Sequence, residues 1–201
     1  MAGSVKNRGV DGKCAVHAAT TQEISMRVHP PAVMACAVAC LLLACASLPS
    51  PAVPEALKVG ANESLALTAA AKGVQIYECR AGKEAGAPDE WAFVAPEAEL
   101  FDARGNRIGQ HGAGPYWQAA DGSRTLGTVK ASAAAPSADA IPWLLLAARP
   151  DGPAGTFTAT TSVQRVNTVG GKAPATGCSA GNRGATARVG YSADYHFYRA
   201  R

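Results

Sequence analysis

The sequence predicts an all-β fold: a single-domain antiparallel β-sandwich or open barrel held by one disulfide. Three observations point there. Gly, Pro, Asp and Asn interrupt the chain about every 8–15 residues, a spacing typical of short strands. The pieces between these breaks are apolar and often alternating, and none is a long amphipathic helix. Near the C-terminus the alternation is sharpest. Val189, Tyr191, Ala193, Tyr195 and Phe197 form one set, and Gly190, Ser192, Asp194, His196 and Tyr198 the other. Successive strand side chains point to opposite faces, so the first set is expected in the core and the second on a wetter surface.

The chain opens on a segment unlike the rest. Residues 32–46 read AVMACAVACLLLACA, an apolar run of 15 residues. A membrane-spanning helix needs roughly 20, whereas a signal-peptide core needs fewer. Ala44-Cys45-Ala46 supplies a small-x-small cleavage pattern, placing the mature start at Ser47. Met26-Arg27-Val28-His29 is the charged lead-in such a signal requires, which makes residues 26–46 the signal peptide. Residues 1–25 are then a surplus leader, read as a mis-called start or as an unusually long polar lead-in. Leu42-Leu43-Ala44-Cys45 also resembles a lipobox, in which Cys45 would be lipidated and the signal would end at residue 44. The two readings differ physically, because acylation anchors the product to a membrane and simple cleavage frees it. Both predict export to a periplasmic or extracellular space. Residues 47–63, with Pro49, Pro51 and Pro54, are expected to be extended.

The β domain is expected over 64–201. Ser64–Ala70 and Gly73–Cys79 are the first two strand candidates, with Lys72-Gly73 between them as a turn. Trp91–Ala95 and Glu99–Asp102 follow, then a turn at Ala103–Asn106 and a strand over Arg107–Gln110. Asp121-Gly122-Ser123 is a strong turn signal separating Pro115–Gln118 from Leu126–Ala134. The Ala/Pro/Ser-rich stretch 131–139 reads as a loose connection. Trp143–Ala148 is apolar without alternation, as in a strand covered on both faces. Thr156–Val166 is Thr-rich and β-branched, which favours another strand.

Cysteine usage agrees with export. Four of the six cysteines (Cys14, Cys36, Cys40 and Cys45) precede Ser47, leaving Cys79 and Cys178 in a simply cleaved product. In an oxidising compartment these two have only each other. The alternative is a pair of unrelated buried thiols. From Ser47 onward 15 Lys and Arg face 13 Asp and Glu, interspersed. With no basic stripe, nucleic acid is not an expected partner. Membrane contact is expected only through the signal or a lipidated Cys45.

Several motifs match by letters but lack the context their chemistry needs. Gly177-Cys178-Ser179-Ala180-Gly181 fits G-x-S-x-G, yet a nucleophile elbow needs a strand before the Ser and a helix after it. Ser192, Asp194 and His196 would share one strand face, but neighbours at i and i+2 lie about 6–7 Å apart, beyond the contact a relay requires. Only His111 and His196 remain as mature histidines, without close ligand spacing, so neither a metal nor a cofactor is expected.

The best candidate site is 111–123, which gathers His111, Tyr116, Trp117, Gln118 and Asp121 among glycines. Glycines admit close backbone approach, aromatic rings give rigid contact area, and His exchanges protons near neutral pH. The competing reading is a glycine-shaped corner whose Trp plugs one end of the fold. Gln164-Arg165 with Thr168-Val169-Gly170-Gly171-Lys172 is a second candidate, centred on Arg165. This arginine should share a face with Val163 and Thr161, with Asp121 or Asp194 as partner, either in a structural ion pair or as an anchor for an anionic ligand.

Five stretches together resemble a known family: GVQIYEC (73–79), HGAGPYWQAADGS (111–123), IPWLLL (141–146), VQRVNTVGGKAPATGC (163–178) and YSADYHFY (191–198). The chain resembles, over about residues 54–199, the bacterial and fungal secreted family filed as domain of unknown function 3455. The resemblance implies export and a compact all-β domain, with no settled activity. Some fungal members carry a malate dehydrogenase label, but no strand here leads into a G-x-G-x-x-G turn and a helix. The family often has Tyr after this His and Glu after this Trp, where this chain has Gly112 and Gln118.

Three functional readings follow. The first is an exported binding module for a small or polymeric ligand, with an apolar cleft lined by Trp117 and Trp143. The second is a small secreted hydrolase or isomerase using His111 as acid–base with Asp121 orienting it, which requires His111, Asp121 and Arg165 in one pocket. The third is a structural envelope lipoprotein.

Overall fold

The computed structural model describes residues 52–201. The expected signal segment 26–46, with the charged lead-in that begins at Met26 and the lipidation candidate Cys45, lies outside the described residues. Eight strands run in chain order: β1 (Glu63–Arg80), β2 (Glu90–Phe101), β3 (Arg107–Gly112), β4 (Tyr116–Ala119), β5 (Arg124–Ala133), β6 (Trp143–Pro150), β7 (Thr160–Gly170) and β8 (Thr186–Ala200). Each pairs antiparallel with the next, and β8 returns to β1, so the sheet closes into an up-and-down barrel. A closed barrel replaces the expected sandwich or open barrel. The long β1 makes the closure, pairing with β2 along one edge and with β8 along the other. Closure removes exposed sheet edges wherever both neighbours are present.

Two expected breaks are absent. Lys72-Gly73 is not a turn, and β1 runs unbroken through it for 18 residues. Gly73 is there for close approach: a Cβ would come 2.1 Å from the Glu97 carbonyl oxygen on β2. Likewise 91–102 is one strand, β2, with Pro96 inside it. Pro96 pairs with Gln75 of β1, while on its other side β3 reaches only as far as Ala98. The missing N–H therefore costs no ladder bond. The Thr-rich strand also begins later than expected, at Thr160, because 156–159 belong to the preceding turn region.

Strand alternation defines two ends. One, the upper end, carries the C-terminus of β1, the β3–β4 hairpin (113–115), the β5–β6 connection (134–142) and the β7–β8 loop. The lower end carries the turns at 102–106, 120–123 and 151–159. Phe157 from the last of these is buried and stacks on Phe197 with ring centroids 4.6 Å apart, closing the lower end. The inner set of β8 is as the alternation predicts from Tyr191 onward: Tyr191, Ala193, Tyr195 and Phe197 are all in the core with Trp117, Leu100, Leu146 and Val163, whereas Val189, nearer the upper end, is only half-buried.

The outer face is not uniformly wet. A short 3-10 turn, η1 (Glu55–Leu57), buries Leu57 outside the barrel, and its carbonyl accepts a hydrogen bond from Gln164 Nε2 at 2.6 Å. Gln164 in turn accepts from Tyr198 Oη at 2.7 Å. Gln164 and Tyr198 are buried beneath this turn, and Leu145 and His196 are buried as well, although all four lie opposite the core face. Trp143–Ala148 is thus covered on both sides as its composition predicts: Leu146 faces the core and Leu145 the outer layer.

Cys79 and Cys178 are joined, with Cα atoms 5.3 Å apart and a sequence separation of 99. The bond ties the β7–β8 loop to the upper end of β1. Trp91 Nε1 donates to the Thr176 carbonyl at 2.9 Å and Arg183 bonds Asp89 at 2.6 Å, holding the same loop.

Candidate functional site

The barrel wall is of unequal height. β3 and β4 have 6 and 4 residues, against 18 in β1 and 12 in β2. Ladder pairing of β3 with β2 stops at Ala98–His111, and that of β4 with β5 stops at Tyr116–Leu126. Residues 90–97 of β2 and 128–133 of β5 therefore lack a neighbour on the facing side. The short hairpin leaves a lateral window in the upper half of the barrel.

Behind that window is a cavity of about 270 Å³. Phe93 and Val94 on β2 and Val129 on β5 stand at its rim, 53%, 44% and 53% exposed, large values for apolar side chains. Deeper in, the wall is made by His111, Trp117, Leu144, Leu146, Arg165 and Tyr195. The mouth is apolar and the polar groups are convergent and few, as in small-molecule sites generally.

His111 and Trp117 are cross-strand partners on β3 and β4, which explains their stacking at 4.8 Å with planes 12° apart. Trp117 also meets Tyr195 edge-on at 5.3 Å. Gly127 makes room for the indole, since a Cβ there would sit 2.7 Å from its ring. His111 Nδ1 lies 2.7 Å from the Tyr116 carbonyl oxygen. A carbonyl only accepts, so Nδ1 carries the hydrogen and Nε2 a lone pair. Burial lowers the imidazole pKa to about 3, the Tyr116 bond opposes this, and the Arg165 charge reinforces it. The ring is neutral across the physiological range.

Arg165 does share the inner face with Val163, but its expected ion pair is absent. Its Nε–H and one Nη2–H donate to the Pro142 carbonyl at 3.1 and 2.8 Å. Asp194 lies on the other face of β8 and accepts from Asn167. Among the described residues no carboxylate lies within ion-pair distance of Arg165. Thr161 is exposed and bonds Glu63 instead of joining that face, because the β7–β8 register shifts between Thr160 and Ser162.

Asp121 is not in the cavity. Strand alternation puts the β4–β5 turn at the lower end, opposite the β3–β4 hairpin. There its carboxylate accepts from Ser123 N and Oγ and from Thr156 N and Oγ1, at 2.6–2.9 Å. Those bonds hold its pKa far below the ordinary carboxylate range. The expected convergence of His111, Asp121 and Arg165 is therefore limited to His111 and Arg165. Tyr116 faces outward beneath the Arg124 guanidinium, 5.5 Å from its ring centre. Trp143 begins β6 and does not line the cavity. Gln118 is on the outer face, accepting from Gln110 at 3.1 Å, so the position where the resembled family often has Glu lies outside the cavity. Ser179 caps a 3-10 turn (Ala180–Asn182), not an α-helix, which removes the elbow.

Tyr195, Tyr191, Leu144 and the rim residues carry no local motif that marks them as site residues. Tyr191 and Tyr195 were legible as inward-facing. Their grouping with Arg165 comes from the pairing Arg165–Tyr195 across β7 and β8. Gln75, Tyr191, Tyr195 and Arg165 form a polar line inside the barrel, each close enough to influence the next. Burial, the largest effect, pushes both phenols above their ordinary pKa, so both hydroxyls keep their hydrogens. Neither Tyr191 Oη nor Tyr195 Oη, however, reaches hydrogen-bond geometry with a neighbour, and Trp117 Nε1 has no partner either. Buried polar groups left unpaired cost about 1–3 kcal/mol each, and native proteins carry few of them.

The family model described as Protein of unknown function (DUF3455) matches residues 60–199, from just before β1 almost to the end of β8. The chain belongs to this family. The DUF3455 match spans the whole barrel, both cysteines of the disulfide and every residue of the cavity. No curated protein and no solved structure matches the chain.

Proposed function

We propose that this DUF3455 barrel is an exported binding module for a small, largely apolar ligand, which enters sideways through the window between β2 and β5. The observation that carries the reading is the pairing of an apolar rim with unpartnered polar atoms in the wall behind it. Phe93, Val94 and Val129 spend apolar surface on water that a core position would hide, a pattern characteristic of functional patches. Trp117 Nε1 and Tyr195 Oη are buried without partners where a ligand could meet them. Acid–base catalysis by His111 and Asp121 has no support, since the two side chains occupy opposite ends of the barrel. Export is favoured by the apolar run 32–46 with its cleavage pattern and by the Cys79–Cys178 bond, which suits an oxidising compartment. Cleavage before Ser47 releases a soluble product.

The test uses 1-naphthylamine, a small neutral dye that brightens in apolar surroundings. Saturable brightening by the protein is expected. Val94→Trp and Val129→Trp, which crowd the rim without entering the core, are expected to weaken it about tenfold or more, equivalent to about 1.4 kcal/mol, at unchanged melting temperature. No saturable binding, or binding indifferent to both variants, would remove the reading. Intact mass of the processed protein checks export separately: a start at Ser47 supports release, and an acylated Cys45 supports anchoring.

A further inference from the structure

Arg165 presents a guanidinium to a cavity that otherwise offers hydrogen-bond donors and hydrocarbon. The Pro142 carbonyl occupies two of its five N–H groups, leaving three. Its neighbours in the wall are Tyr195, whose protonated hydroxyl lies close to Arg165 and Tyr191 yet outside good hydrogen-bond geometry, and Trp117 Nε1, which only donates. Among the described residues no carboxylate answers this charge. A partly desolvated cation flanked by free donors lacks its anion, and the planar guanidinium fork matches a carboxylate in particular. His111, the remaining polar group, is neutral and adds no competing positive charge.

The size is also informative. With each water-sized group taking about 30 Å³ of liquid volume, a cavity of about 270 Å³ accommodates about nine such groups. The apolar rim lies on the window side, and Arg165 and Tyr195 lie on β7 and β8 across the barrel. A ligand seated here would direct its head inward and its hydrocarbon outward.

Resting on the proposed binding role, we infer that the cavity selects compact monocarboxylic acids of about eight carbons, with the carboxylate on Arg165 and Tyr195 and the hydrocarbon against Leu144, Val129 and Phe93. Selection follows from differential cost: an alcohol or ester of the same length fills the apolar part but leaves the guanidinium without its anion.

Calorimetry of the full protein with octanoate, 1-octanol and methyl octanoate at pH 7.5 tests this without any variant. Octanoate is expected to bind at least about tenfold tighter than either neutral analogue, a gap of about 1.4 kcal/mol, and the gap should narrow with added salt. Arg165→Met, which keeps side-chain length, should abolish the preference while leaving octanol binding within about twofold. Tyr195→Phe should reduce it partially. Equal binding of octanoate and octanol by the wild-type protein would overturn the head-group inference and leave the binding role standing. Failure of all three ligands, together with no saturable naphthylamine binding, would overturn both.

Discussion

Acidification should destabilise this barrel through His111. The imidazole is buried against Trp117 and Tyr195, and its pKa falls from 6.5 to about 3. In the unfolded chain the same ring takes a proton near pH 6.5. Below that pH the unfolded state binds a proton that the folded state refuses, so stability is complete above about 6.5 and drains as pH falls. The slope is about 1.4 kcal/mol per pH unit. Between pH 7 and pH 5 the loss is about 2 kcal/mol, because only the interval below 6.5 contributes. His196, whose pKa burial also lowers, acts in the same direction. Carboxylates held low by their bonds, such as Asp121 and Asp102, lose their contribution only at more acidic pH, as the medium approaches the carboxylate range. The assay is urea denaturation of wild type and His111→Gln at pH 7, 6 and 5. The variant will be weaker at every pH, having lost the ring stack, so the pH slope is the quantity to compare. Wild type should lose about 2 kcal/mol more than the variant between pH 7 and pH 5. Equal slopes would refute the assignment of a neutral, water-excluded imidazole.

Three further outcomes are expected. Cys178→Ser, which opens the 99-residue separation closed by the disulfide, should cost roughly 4–5 kcal/mol in the chain-entropy model, read as a lower urea midpoint; an unchanged midpoint would show that the β7–β8 loop adds nothing to barrel stability. Gly127→Val drives a side chain into the Trp117 indole and should destabilise by about 1–3 kcal/mol with altered Trp fluorescence; an unperturbed melting curve would contradict the tight fit of the ring. Asp121→Asn should increase proteolytic cutting within 151–159 by releasing Thr156 while leaving naphthylamine binding unchanged; loss of binding would tie the lower end to the cavity after all.

Much of the fold can be read from local pattern. The inward set of β8, the turn at Asp121-Gly122-Ser123 and the doubly covered strand at Trp143 follow from alternation, side-chain-to-backbone bonding and continuous apolarity. Gly73 was misleading because glycine serves two purposes, supplying turns and admitting a close backbone, and only the neighbouring strand distinguishes them. Trp91–Ala95 and Glu99–Asp102 join into one strand because Pro96 between them is tolerated. Its lost donor matters only where a partner strand exists, and the short β3 removes that partner. The candidate site was half legible. His111, Trp117 and Arg165 line one cavity, whereas Tyr116, Asp121 and Trp143 lie elsewhere. Residues close in sequence alternate between faces and between ends of an antiparallel barrel, so the 111–123 segment contributes only part of itself to any one site.

Composition and pattern by themselves determined an all-β domain and membership of DUF3455, because these depend on residue type, period and order along the chain, and they pointed to a Cys79–Cys178 pairing that the meeting of β1 with the β7–β8 loop decided. Closure into a barrel, the lateral window and the meeting of Arg165 with Tyr195, Trp117 and His111 were decided only in three dimensions. They depend on relative strand lengths and on register between segments tens of residues apart. Neither quantity is written in any single stretch of sequence.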